Sequence, residues 1–133
     1  MQELPLEGQS FTIIRNDNLI YVDKTKYLYS ISKKKGCYFL SRPRRFGKSL
    51  LLGSLNELLQ GKRELFKGLW IDSSDYDFPK MPVVMLSMTG SFDSKAVLEQ
   101  SIKIKLKSAA KIIGIDLEGL ISFKDSSPAD ILR

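Results

Sequence analysis

The stretch Cys37-Tyr38-Phe39-Leu40-Ser41-Arg42-Pro43-Arg44-Arg45-Phe46-Gly47-Lys48-Ser49-Leu50-Leu51 carries the order of signals that decides the fold. Its first four residues are a continuous apolar run, the pattern of a strand buried on both faces, as in parallel sheets. A basic loop follows. Behind it Leu51, Leu52, Leu55, Leu58 and Leu59 recur at helical spacing until Gly61, which predicts a helix of about three turns. Strand, loop and helix in that order are the setting a phosphate-binding loop requires.

Gly47-Lys48-Ser49 stands at the junction of loop and helix. Backbone N–H groups at a helix start converge on an anion and the helix dipole favours it, so phosphate is the natural ligand. Gly47 lets the backbone come close. Lys48 is placed to neutralise the β- and γ-phosphates, and the Ser49 hydroxyl to ligate Mg²⁺. The general pattern G-x-x-x-x-G-K-[ST] wants glycine where this chain has Arg42, so the motif taken alone is imperfect.

Working outward, Phe11-Thr12-Ile13-Ile14 and Leu19-Ile20-Tyr21-Val22 read as two short strands joined by the polar turn Arg15-Asn16-Asp17-Asn18. Asp23 stands as the N-cap of a helix carrying Tyr27, Leu28 and Ile31, with Gly36 as its stop. Pro82 leads into Val83-Val84-Met85-Leu86, a second buried-strand pattern. Asp93 or Ser94 then caps a long helix with the apolar stripe Leu98, Ile102, Leu106, Ala109 and Ile113, ending at Gly114. The alternating run Ile102 to Lys107 also fits a strand, but Ala96 and Ala109-Ala110 favour helix. Ser127-Pro128-Ala129-Asp130 has the form of a helix start six residues before Arg133, which reads as the front part of a longer protein.

The expected architecture is therefore α/β. It is an incomplete P-loop NTPase sheet with flanking helices, one partial domain over residues 1–133. A hairpin and helix occupy 1–35, and the P-loop strand and helix with the next βα unit occupy 36–133.

Composition limits the chemistry. The 133 residues hold 21 Lys and Arg against 15 Asp and Glu, a net charge of +6 that favours anionic partners. One cysteine and no histidine exclude an internal disulfide, a Cys/His zinc site and a histidine-dependent triad within these residues. No run approaches the roughly 20 apolar residues of a membrane-spanning helix, and the N-terminus lacks a signal-peptide pattern, so a cytoplasmic location is expected.

Several segments together resemble the AAA-ATPase-like proteins of bacteria and archaea, many of which carry a PD-(D/E)XK nuclease-like domain at the C-terminus. Tyr21-Val22-Asp23-Lys24-Thr25 looks like that family's YVDKT segment, and Phe39 to Leu50 like its divergent Walker A, in which Arg42-Pro43 is the family's own form. Glu64 to Ile71 and Pro82 to Ser87 resemble the segments that follow. The resemblance covers Leu4 to Leu132 and implies ATP and Mg²⁺ binding on a P-loop sheet. The implied nucleotide contacts are Arg44, Arg45, Phe46, Gly47, Lys48, Ser49 and Leu50, with Lys48 the catalytic cation and Ser49 the metal ligand. It also suggests, weakly, that Tyr21 and Thr25 help to enclose the base. The resemblance implies that the family's Walker B, an apolar strand ending in acids, lies soon after the helix that starts at Ser127, beyond these residues, and Val83 to Leu86 cannot take its place because Ser87-Met88 follows it. Hydrolysis by these residues alone is not expected, and nucleic acid would be met through a nuclease-like domain beyond them.

Other readings stay open on the residues themselves. Arg42, Arg44, Arg45 and Lys48 put four cations within seven residues, which also suits a non-enzymatic basic module binding nucleic acid or a protein partner. Arg44 and Arg45 serve either phosphate or salt bridges, and Phe46 reads as packing more than as an adenine contact. Asp72, Asp75 and Asp77 lack the glycine and glutamate of an EF-hand and read as loop solvation. Cys37, in its expected buried strand, reads as a small apolar group.

Overall fold

A computed structural model describes residues 2–87, 93–112 and 114. Two compact units divide the chain, Met1–Pro82 and Val83–Arg133. The first unit holds three α-helices, α1 (Phe11–Asn16), α2 (Thr25–Ser32) and α3 (Lys48–Leu59), and the 3₁₀ turns Arg63–Phe66 and Trp70–Ser73. The second holds α4 (Lys95–Ile112).

Among the described residues there is no β-strand, so the expected α/β sheet is overturned. Cys37 to Leu40 and Val83 to Leu86 are extended but unpaired, and Phe39 is 94% exposed. An apolar run states only that its side chains favour burial. A strand also needs a neighbour for its backbone groups, and neither run has one here. Cys37 is accordingly an exposed free thiol, not a buried apolar filler.

The expected hairpin at Ser10 to Val22 is also corrected. Ser10 caps α1, its Oγ accepting the Ile13 N–H at 3.3 Å, and Phe11 and Ile14, three apart, are buried on one side. Asn18, at φ 52°, ends the helix with Leu19 N–H donating to Ile14 O at 2.9 Å and Asn18 N–H to Arg15 O at 3.4 Å, a Schellman closure. Arg15, expected in a hairpin turn, instead donates to the carbonyls of Leu65 at 2.8 Å and Lys67 at 2.6 Å. The β preference of Phe, Thr and Ile yields to this packing.

The expected N-cap at Asp23 is corrected: α2 starts at Thr25 with Lys24 as its N-cap residue and no side-chain cap bond, and Asp23 instead accepts the Thr25 N–H at 2.8 Å in a local turn before the helix. Thr25 and Leu28 are buried. Helix α3 begins and ends as its leucine spacing predicts, with Leu58 fully buried and Leu51 and Leu55 packed against the core. Gly61, at φ 72°, follows it, and a Cβ there would stand 2.8 Å from the Phe78 carbonyl oxygen, so only glycine lets the chain pass.

The core of this unit is aromatic. Phe66 is fully buried between Phe11 and Phe78, with ring centroids 5.0 and 5.7 Å away, and Tyr76 stands edge-on to Phe78 at 5.2 Å. The aspartates read as loop solvation prove to be anchors. Asp72 pairs with Arg63 and accepts the Gly68 N–H, and Asp75 accepts from Tyr29 at 2.6 Å and pairs with Lys33.

In the second unit α4 spans Ile102 to Lys107 as helix. Ser94 Oγ accepts the Val97 N–H at 3.3 Å, and Gly114, at φ 73°, follows the helix. Leu106 and Ala110 are its buried residues. The helix start expected at Ser127 lies outside the described residues.

Candidate functional site

Residues Arg42 to Leu50 form an irregular turn leading into α3. Gly47, the residue before the helix, is left-handed at φ 70°, and Arg45 is left-handed at φ 68°. Such a chain turns its N–H groups toward a common side instead of into a ladder. Arg44 and Arg45 lie in a hydrogen-bonded turn, and the first bond of the helix that follows runs from Leu51 N–H to Gly47 O at 2.9 Å. The N–H groups of Lys48, Ser49 and Leu50, at the start of α3, have no acceptor among the described residues and are left for solvent or an anion.

The side chains differ in their engagement. Lys48 folds back so that its ammonium donates to the carbonyls of Arg42 and of Pro43, the latter at 3.0 Å. This closes the loop on itself and holds the cation at its mouth. Ser49 is exposed, with its hydroxyl available at the helix start, and Leu50 is half-buried against the core. Arg45 donates from Nε and Nη2, one edge of its guanidinium, to the two carboxylate oxygens of Glu7 in the N-terminal segment, an exposed bidentate ion pair. Arg44 is exposed and has no ion pair among the described residues. Phe46 is 60% exposed, which corrects its reading as a packing residue.

A cleft of about 900 Å³ opens beside the loop, between Arg44 to Leu50 on one wall and Pro5 to Phe11 on the other. That is the size range of small-molecule sites, roughly 300–1,000 Å³. A second, apolar slot of about 170 Å³ abuts the same loop at Gly47 and Leu50, with Ile20, Tyr21 and Leu51 among its walls. The Tyr21 ring packs edge-on to Phe11 at 5.1 Å, and burial pushes its hydroxyl above the ordinary range.

Beneath the slot, Asp23 ties two parts of the chain. Its Oδ1 accepts the Thr25 N–H at 2.8 Å and the Thr25 hydroxyl at 2.7 Å, while Oδ2 accepts the Trp70 N–H at 2.6 Å. The Thr25 oxygen in turn accepts the Ile71 N–H at 3.2 Å. Partial burial pushes the Asp23 carboxyl up, but the donors from Trp70 and Thr25 outweigh it, and the net direction is below the ordinary 3.8. Asp23 and Thr25 are therefore tethers of the frame. Thr25 is fully buried and not among the walls of either cavity, so the weak suggestion of a base contact fails for it.

Two participants were not legible in the sequence. Glu7 reaches Arg45 across a separation of 38 residues. Lys24 brings its ammonium to 3.8 Å from where a Cβ on Gly47 would lie. Among the described residues no group of three or more His, Cys, Asp or Glu side chains is assembled to hold a metal ion.

The loop thus sets free N–H groups at a helix start and the Lys48 ammonium beside an open cleft. Residues 5–132 match the AAA-ATPase-like family, described as "Predicted AAA-ATPase", and the chain belongs to that family. It is 44% identical over 91 residues to "Uncharacterized protein in vnfD 5'region" of Azotobacter chroococcum mcd 1, a match covering 67% of this chain and 17% of that protein. The chain thus spans less than a fifth of the length of that relative. No solved structure matches. No described helix is long and apolar enough to cross a membrane.

Proposed function

We propose that this chain binds ATP with Mg²⁺ through the Arg44 to Leu50 loop, as the nucleotide-gripping front part of an ATPase. The observation that carries the reading is the set of undonated N–H groups at the start of α3, from Lys48 to Leu50, with the Lys48 ammonium tethered to the loop before it. The support comes from loop and helix and not from a sheet.

In this reading the N–H groups surround the β-phosphate, and Lys48 leaves the Pro43 carbonyl for the phosphate oxygens. Gly47 keeps that approach open. The nucleotide's Mg²⁺, which neutralises phosphate charge, is met by the exposed Ser49 hydroxyl. With no acidic cluster assembled among the described residues, metal affinity depends on the nucleotide's own phosphates. Binding, not hydrolysis, is the activity assigned to these residues.

Calorimetric titration with Mg-ATP tests this directly. The wild-type protein should bind saturably, Lys48→Ala should weaken binding by about 100-fold or more, and Ser49→Ala should weaken Mg-ATP more than metal-free ATP. Wild-type protein that shows no saturable ATP binding overturns the assignment. Tight binding of DNA or RNA in its place would favour the basic-module alternative.

A further inference from the structure

Lys24 lies outside the loop motif, in the turn that enters α2, yet its ammonium stands beside Gly47 at the heart of the loop. The residue is half-buried and lines the apolar slot. Among the described residues no carboxylate lies within ion-pair distance of it. Its neighbour Asp23 is committed to the N–H groups of Thr25 and Trp70.

A half-buried ammonium with no carboxylate partner among the described residues is well served by a ligand anion that meets it. Its position is not accidental slack in a long side chain. Asp23 on one side and Thr25 on the other are both tied to the Trp70–Ser73 turn, so the backbone at Lys24 is held from both flanks. The stem runs along the slot and the ammonium is delivered to the Gly47 face of the loop. Lys48 reaches the loop from its own helix, at the opposite carbonyl-lined mouth.

We infer that Lys24 is a second anion-binding lysine, which grips the phosphate chain from the Gly47 side while Lys48 grips it from the mouth. This rests on the proposal that the loop binds nucleotide phosphates. The ligand recognised at this point is the polyphosphate itself, so the base is irrelevant to Lys24.

The test uses inorganic tripolyphosphate and Mg-ATP side by side, titrated into wild-type protein, Lys24→Gln, Lys24→Arg and Lys48→Ala at several salt concentrations. Lys24→Gln should weaken both ligands by about tenfold and flatten the salt dependence, with Lys24→Arg retaining most of the affinity. In the wild-type protein, tripolyphosphate should also protect the Lys24 amine from acetylation, read by mass spectrometry, a measurement that needs no variant to fold. If Lys24→Gln binds both ligands as the wild type does while Lys48→Ala loses them, or if Lys24 gains no protection, the inference is overturned and the loop assignment stands. If the wild type binds neither ligand, the loop assignment falls and the inference with it.

Discussion

The aromatic core around Phe66 and the loop from Arg42 to Leu50 lie in one unit and treat their polar groups in opposite ways. In the core Thr25 and Ser54 are both bonded, Thr25 to Asp23 and Ile71 and Ser54 to the Leu50 carbonyl, and the buried Tyr76 hydroxyl is the exception, with no partner among the described residues. At the end of the loop the N–H groups of Lys48 to Leu50 have no acceptor among the described residues, and Phe46 faces solvent. The core is held by aromatic packing with most of its polar groups bonded internally, whereas the N–H groups at the start of α3 turn to water or an anion. Stability and binding therefore reside in different residues and should respond to different substitutions.

The largest effect on the core side is expected from Phe66→Ala, which empties the space between Phe11 and Phe78 and should cost about 3–5 kcal/mol of stability in denaturant unfolding. A loss under 1 kcal/mol would mean that this core is not the stabilising element. Asp23→Ala comes next, at about 1–2 kcal/mol near neutral pH, because it leaves the Trp70 and Thr25 N–H groups without their acceptor. Its pH dependence has a definite sign. The folded carboxyl titrates below its ordinary 3.8, so its stabilisation is complete above that value and is lost as the pH falls through the lower folded value. The gap between wild type and Asp23→Ala should accordingly close in strong acid, and a gap that widens there would contradict the tether.

The smallest effect is the sharpest test of the corrected fold. Phe39 is 94% exposed, so Phe39→Asp should change stability by less than about 0.5 kcal/mol. A cost of several kcal/mol would restore the buried strand that the apolar run suggests and break the contrast between core and loop. Together with the Lys48 and Lys24 titrations, these substitutions separate what holds the unit together from what it holds.

Helix α3 was readable because its leucines recur with the helical period and a helix satisfies its own backbone locally. The Gly47-Lys48-Ser49 junction was readable for the same reason, being a helix start with a basic loop before it. The extended runs at Cys37 and Val83 were misread because an apolar run does not name its partner, and a strand exists only in pairing. The hairpin at Phe11 to Val22 was misread because β preference in Phe, Thr and Ile is weaker than one cap, one Schellman closure and two buried side chains.

The sequence by itself determined the candidate loop, the helix behind it and the family, since each is written in residues close together along the chain. Only the tertiary structure decided that Glu7 faces Arg45, that Asp23 tethers Trp70 and that Lys24 reaches Gly47. Those contacts join residues 38, 47 and 23 positions apart, and no local period or cap encodes them. They follow from where the aromatic core places the chain, which is a property of packing and not of pattern.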